Sequence, residues 1–395
     1  MTRASIKEYA EAIRQRYRAG HKAEKGKILD EFTKVTGLHR KSAIRLLRYA
    51  FPVKLKQKRG RTKYYGNEVT AVLRKIWEAS DRLCSKRLQP FMPEMIKVFR
   101  QHGEQQINIS LESLLCQVSP ATIDRLLRPW RRLGGRKGLT TTKPVSLLKN
   151  TIPIRTFTEW QENKPGFLEM DLVAHCGEST GGFYLNTLTA VDVASGWTEC
   201  AVVWGKGQSR VSGAVHRIKE RLPFLMVGLD SDNGGEFINQ HLYDYCRRWN
   251  IKFTRSRSYK KNDSCYVEQK NWNMVRRVVG YDRYTSKSAY DCLDRIYSLM
   301  RLYMNFFQPT MKLLTKSRQG AKVHKVYDIA QTPYQRLLKL GILSASKQAE
   351  LTAVYHGLNP VVLLKQINEN LEKLWKLTDR RDLSYSETTL VKVTR

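Results

Sequence analysis

Acidic residues are scarce in this chain of 395 residues: 36 Asp and Glu stand against 70 Lys and Arg, a formal net charge of +34. That imbalance excludes an ordinary metabolic enzyme and points to a polyanionic partner, nucleic acid before an anionic membrane. Long apolar runs are missing too. None approaches the roughly 18 residues a membrane span needs, and MTRASIKEYAEAIRQRYRAG at the N-terminus has no apolar signal core. The expectation is a soluble, cytoplasmic, nucleoid-associated bacterial protein with no membrane partner. The seven cysteines form no Cys-x-x-Cys pair, which fits neither a disulfide framework nor a zinc site. Apolar residues are not lacking: at 41% they suffice for packed cores and exclude a disordered basic tail.

The charge surplus is uneven. Residues 1–150 carry +22, residues 286–395 carry +9, and residues 151–285 between them carry only +3. The middle therefore keeps its carboxylates while its neighbours are strongly basic.

Before residue 132 the pattern is helical. Ile28, Leu29, Phe32 and Val35 recur at helical spacing, Gly37 interrupts, and Ile44, Leu46 and Leu47 resume. This is a helix-turn-helix outline whose second helix carries Arg40, Lys41, Arg45 and Arg48, cations suited to phosphates and base edges. Residues 66–132 end in a second such outline. Ser110 is the expected cap of one helix, and Ser119-Pro120 opens the next, running to Arg132 with Arg125 and Arg128 away from its apolar face. The expected organisation is a helix-turn-helix DNA-binding region at 1–132, as one unit or as two (1–50 and 66–132), then a linker at 133–150. A core at 151–285 and a mostly helical C-terminal region at 286–395, for DNA binding or multimerisation, complete it.

The middle reads differently. Strands are expected at Phe167–Ala174, Phe183–Val193 and Gly196–Trp204, then a helix at Gln208–Leu222 and a short buried strand at Phe224–Leu229. A helix at Gly235–Trp249, a strand at Ile251–Thr254, a polar loop at Arg255–Asp263 and a helix at Ser264–Gly280 follow. The sum is an α/β layer, a mixed sheet flanked by helices.

Three acids stand out in it: Asp171 in the first strand, Asp232 after the short strand, and Glu268 one turn into the last helix, with 35 residues between the second and third. Carboxylates are hard ligands for Mg²⁺ or Mn²⁺, and clustered ones need a cation to offset their repulsion. Asp230 rivals Asp232 because it lies two residues earlier, on the same side of an extended strand. Asp192 fits a structural acid near the Ala194-Ser195-Gly196 turn, and His175 a packed histidine. Trp272, Val275 and Val279 follow Glu268 at helical spacing, which predicts a sheet-facing side for all four; Lys270, Asn273 and Arg277 then fall on the face free to meet DNA. Lys260 and Lys261, in the preceding loop, are candidates to hold substrate phosphates.

The segments Glu169-Met170-Asp171-Leu172, Asp232-Asn233-Gly234-Gly235-Glu236-Phe237 and Asn262-Asp263-Ser264-Cys265-Tyr266-Val267-Glu268-Gln269-Lys270-Asn271-Trp272 resemble the catalytic domain of retroviral integrases and bacterial DDE transposases. The resemblance covers about 165–285, with a weaker echo in Tyr303-Met304-Asn305-Phe306-Phe307-Gln308-Pro309. It is greatest to integrase-type transposases of insertion sequences. The chain lacks the N-terminal His-His-Cys-Cys zinc module of retroviral integrases and has helix-turn-helix outlines in its place.

The resemblance implies an RNase H-like core and a metal-dependent DNA transposase. In it Asp171 would bridge two Mg²⁺ (or Mn²⁺) ions, with Asp232 and Glu268 each completing one shell. Water would cut at the element's end, and the freed 3′-OH would attack target DNA in line. The partners implied are double-stranded DNA, as terminal repeats and target, and further copies of the chain in a homo-multimer. Two other readings remain open: a catalytically inactive helix-turn-helix regulator derived from a transposase, and a nuclease acting on RNA–DNA hybrids.

Overall fold

The computed structural model describes residues 1–49, 64–131, 164–257 and 264–379. The chain divides into two compact units, residues 1–64 and 65–395.

Among the described residues the first unit contains three helices, α1 (Arg3–Ala19), α2 (Lys22–Thr36) and α3 (Arg40–Arg48). Thr2 caps α1 by accepting the Ser5 N–H. Helix α2 ends on Gly37, whose φ of 68° is left-handed and therefore suits glycine, and the chain turns directly into α3. Ala10, Tyr17, Ile28, Leu29, Phe32, Ala43 and Leu47 form a core of their own. The Arg14 guanidinium ties α1 to α3 by donating to the Leu46 carbonyl at 3.2 Å.

The second unit is built on a five-stranded sheet of order β3-β2-β1-β4-β5, with β1 at Phe167–Ala174, β2 at Asn186–Asp192, β3 at Thr198–Val203, β4 at Gly228–Ser231 and β5 at Lys252–Arg255. Strands β1, β2 and β3 pair antiparallel, while β4 and β5 run parallel to β1. This is the mixed sheet and RNase H-like element order that the sequence predicts, with later starts in places: Asn186 rather than Phe183 for β2, and Gln240 rather than Gly235 for the helix after β4. Strand β4 starts at Gly228, four residues later than expected, and Leu225 and Val227 before it are exposed. Gly228 lies against Phe167, whose ring stands 2.2 Å from where a Cβ would be. The strand therefore enters at the one position without a side chain.

Helices α8 (Gln208–Arg221), α9 (Gln240–Arg248) and α10 (Cys265–Lys270) follow the strands, and a π-helical turn at Asn271–Arg276 continues α10. Among the described residues of this unit, four helices precede the sheet: α4 (Asn67–Ala79), α5 (Ser85–Gln101), α6 (Ile109–Gln117) and α7 (Pro120–Leu127). The caps are Asn108 for α6, one turn-start earlier than the predicted Ser110, and Ser119 for α7 as predicted. Helix α7 stops short of Arg132 because Pro129 closes it in a 3₁₀ turn.

These four helices share one apolar cluster with the sheet and with α11 (Lys287–Phe307), α12 (Pro333–Leu340), α13 (Ala345–Gly357) and α14 (Pro360–Lys376). Tyr303 of α11 donates its hydroxyl to the Ala79 carbonyl at 2.7 Å, and Gln308 donates to the Ser80 carbonyl at 3.0 Å. Asn305, from the motif the sequence singled out, both accepts from and donates to the Thr198 backbone at 2.9 Å, pinning α11 to β3. Residues 313–327 form a hairpin, β6 (Leu313–Gln319) and β7 (Lys322–Tyr327), that no sequence periodicity announced.

Candidate active site

Strand β1 is central, so an acid on it is presented between neighbours on both sides. Asp171 pairs in register with Thr189 of β2. On the other side Met170 pairs with Ser231 of β4, and the next residue in each segment is an acid, Asp171 within β1 and Asp232 just past the end of β4. Parallel pairing thus carries two carboxylates, 61 positions apart in sequence, to one point at the sheet edge. The chain then folds back: Asp232 Oδ1 accepts the Gly234 N–H at 3.0 Å. A Cβ on Gly234 would stand 3.0 Å from that same oxygen and 2.7 Å from the Glu236 carboxyl carbon, so glycine leaves room for both acids.

Helix α10 reaches this point through two contacts. Asn271, at its C-terminal cap, donates Nδ2–H to Asp171 Oδ2 at 2.6 Å. Glu169, two residues before Asp171, is buried, and its Oε2 accepts the N–H groups of Tyr266 and Val267, both at 2.9 Å. A strand carboxylate therefore caps the first turn of the helix that carries Glu268, satisfying donors that no residue of the helix itself can satisfy. Glu268 is exposed on that helix, one turn before Asn271.

The electrostatics are those of acids without enough positive charge. Loss of water raises the Asp171 pKa, and Glu236 raises it further, against the Leu172 N–H, Asn271 and Arg276. Burial and the Asp171 charge push Asp232 up to about 7, with Glu236 adding and Lys206 opposing. Glu169 is pushed up to about 8 by burial, aided by the charges of Asp230 and Glu268. Adjacent carboxylates that resist ionisation suit a hard divalent cation. Among the described residues no three His, Cys, Asp or Glu side chains converge closely enough to cage one. Asp171 is held instead by a neutral amide from the Glu268 helix.

Known proteins with these features bear on the family. A relative, "Uncharacterized protein y4rM" of Sinorhizobium fredii, is 42% identical over 335 residues, which cover 84% of this chain and 95% of its own length. The chain belongs to the y4rM family. Its residues 161–261 match the model of the integrase core domain, a span that includes Asp171 and Asp232 and ends before Glu268. The core of this y4rM-family chain is thus an integrase-type core. Two solved structures are similar to it at low identity. The catalytic core of BIV integrase is 18% identical, covering 44% of this chain and 94% of its own, at a TM-score of 0.29. The HTLV-2 integrase catalytic core in complex with magnesium is 17% identical, covering 37% and 90%, at 0.28.

The other candidate residues of the y4rM-family chain are spread over both units. In the first, Arg40, Lys41, Arg45 and Arg48 all lie exposed on α3, with Arg40 paired to Asp30. In the second, Arg125 and Arg128 are exposed at the end of α7, Arg125 donating to Thr122 Oγ1 at 2.8 Å. Arg277 is exposed but pairs with Asp81. Lys260 and Lys261 lie outside the described residues.

Lys270 differs from its expectation. It is buried, and its amine, which has no hydrogen-bond partner among the described residues, is lowered to about 8 by burial. Trp272 is half exposed instead. Helix α10 is regular up to Lys270, and its inward positions Val267 and Lys270 continue into Asn271, Met274 and Val275, so the buried face lies one residue off the predicted one and Glu268, expected on the sheet side, is exposed. A buried amine cannot reach DNA.

Asp192 accepts the Gly166 and Ser195 N–H groups, both at 2.7 Å, as a structural acid should. His175 is fully buried, hydrogen-bonded to Thr187 at 2.7 Å and packed edge-on against Tyr284. Asp230 accepts from the Thr254 hydroxyl within the sheet. Glu169, Glu236 and Asn271 are the site residues that spacing alone did not single out. All three were already inside the motif segments, so proximity to Asp171, Asp232 and Glu268 was the available signal.

Proposed function

We propose that the chain is a DNA transposase that cleaves the ends of its element and joins the resulting 3′-OH to target DNA. The observation that carries this reading is the Asp171–Asp232 pair, on β1 and just past the end of the adjacent parallel strand β4, with the Glu268 helix tied to it by Asn271, in an integrase-type core. Asp171, Asp232 and Glu268 are the residues that would hold divalent cations, Mg²⁺ or Mn²⁺, two per site. When bound, such ions neutralise clustered carboxylates and stabilise both the attacking and the leaving oxygen of an in-line displacement at phosphorus.

The chain's own groups do the positioning. Asn271 fixes the orientation of the Asp171 carboxylate. Glu169 holds the first turn of α10, and with it Glu268, against β1. Helix α3, after its left-handed turn, fits the second helix of a helix-turn-helix and would bring its four exposed cations to phosphates and base edges of the terminal repeats. Joining two ends requires two sites, so the working form is a multimer on DNA in the bacterial nucleoid. No helix among the described residues is long and apolar enough to cross a membrane.

The test is incubation of the full chain with Mg²⁺ and a duplex bearing the element's own end. Nicking followed by strand joining supports the proposal. Tight, sequence-specific binding with no cleavage under any divalent metal overturns it in favour of a regulator that retains the fold.

A further inference from the structure

The hairpin β6–β7 lacks what holds other strands in place. All thirteen strand residues are exposed, so neither face packs on the unit that carries it. A two-stranded ribbon with two solvated faces is marginal in water. Its base is nevertheless firmly built. Lys312 donates its backbone N–H to Asp328 Oδ1 at 2.6 Å and its amine to the carbonyls of Val193, at 2.7 Å, and Ala194. Arg336 clamps Asp328 Oδ2 at 2.6 Å and the Thr310 carbonyl at 2.7 Å. The root sits on the residues just after β2, and the ribbon projects from there by roughly 20 Å, at about 3.3 Å per residue.

Its charge is of one sign. Leu313–Tyr327 contains Lys316, Arg318, Lys322 and Lys325, one histidine and no acid. Lys316 and Lys325 lie directly opposite each other in the ladder, and Arg318 follows two residues on, on the same face. Like charges directly opposite are destabilising in a ladder. Among the described residues no carboxylate pairs with any of the four, and Arg318 donates its Nε–H to the Gly320 carbonyl in the hairpin's own turn at 3.2 Å. Leu313, Val323 and Tyr327 share the cationic face, whereas Val326 lies on the other.

Taking the transposase reading as given, we propose that β6–β7 is a second DNA-binding element. It would lay the Lys316–Arg318–Lys325 face against the phosphates of a duplex outside the catalytic site. The major groove admits a two-stranded ribbon of this kind, and a polyanion relieves the cross-strand repulsion that the free hairpin carries.

The experiment uses the full chain and a long synthetic duplex of arbitrary sequence, with affinity measured from about 50 to 200 mM salt. Replacing Lys316→Gln, Arg318→Gln and Lys325→Gln together should make the log–log salt slope shallower by about 2.7, from about 0.9 per phosphate contact. The variant should therefore lose about forty-fold less affinity than the wild type over that range. Lys316→Arg with Lys325→Arg should retain the wild-type slope, and duplex should protect the amides of Lys322–Tyr327 from hydrogen exchange. An unchanged slope and affinity in the triple variant, alongside a reduced slope in an Arg45→Gln/Arg48→Gln control, overturns the hairpin's role and leaves the transposase reading standing. Failure of the wild type to bind any duplex, including one bearing the element's end, removes both. If the triple variant instead changes the sedimentation of the free protein and leaves DNA affinity alone, the hairpin joins copies of the chain and the inference is wrong.

Discussion

The Asn271 side chain donates a 2.6 Å hydrogen bond to Asp171 Oδ2, and this bond joins the helix of the third acid to the strand of the first. A neutral amide thereby supplies part of the positive potential that two neighbouring carboxylates require. Asn271→Asp would replace that donor with a third charge beside Asp171. Without divalent metal the variant should melt a few degrees lower than wild type, on the scale of about 1–2 kcal/mol in a domain of this size. With millimolar Mg²⁺ it should recover more than the wild type gains. Thermal unfolding with and without Mg²⁺ measures both, and equal Mg²⁺-induced shifts in the two proteins would show that the position does not sense a cation.

Asp171→Asn, Asp232→Asn and Glu268→Gln should each abolish cleavage and joining while leaving duplex affinity within a few-fold of wild type. Asp230→Asn should behave differently. Its carboxylate is buried between β4 and β5 and takes the Thr254 hydroxyl, so its loss should appear in stability first. Strand-transfer gels beside melting curves separate the cases. An Asp230→Asn protein with normal stability and no activity would move the second ligand from 232 to 230.

Glu169 links the strand to the helix by a purely geometric contact, two N–H groups on one oxygen. Glutamine keeps a carbonyl oxygen in the same place, and alanine does not. Glu169→Gln should retain most strand transfer, whereas Glu169→Ala should lose ten-fold or more, in line with about 1.4 kcal/mol per decade. Both should still bind duplex. Equal loss in the two variants would mean that the charge of Glu169 matters and its acceptor geometry does not.

How far the sequence alone carried depends on how local each signal is. Ser119-Pro120 and Thr332-Pro333 announce their helices because cap and first turn are adjacent in the chain, and both caps are present. Strand β1 matches its expected bounds because six of its eight residues are apolar and all but one of those are buried. The face of α10 was misread because it was anchored on Glu268, whereas the inward positions of the regular helix are Val267 and Lys270 and Glu268 is exposed. The region expected at 66–132 meets Tyr303 and Gln308 at the end of α11 and Arg277 after the π turn, partners some 200 residues away that no local pattern reveals. Glu169 was invisible as a cap because its partners are backbone N–H groups, which leave no mark in composition. The β6–β7 hairpin shows no alternation because neither of its faces is buried.

The raised pKa of Glu169 makes stability depend on pH in a definite direction. Its usual value of 4.5 applies to the unfolded chain, and the fold raises it to about 8. Below about pH 4.5 both states hold the proton. Between about 4.5 and 8 the unfolded chain has released it while the fold still retains it, so stability falls as pH rises through that window. Asp232, raised from 3.8 to about 7, acts in the same direction over a lower window. His175 acts the other way. Burial lowers it from 6.5 to about 3, so its contribution is complete above about pH 6.5 and is lost as pH falls. In the presence of EDTA, the wild-type melting temperature should therefore drop between neutral pH and about pH 8. Glu169→Gln, which has no proton to lose, should flatten that drop while leaving the acid limb to His175 unchanged. Parallel pH profiles of the two proteins across the whole range would place the Glu169 carboxyl near its ordinary value and remove the burial argument for it.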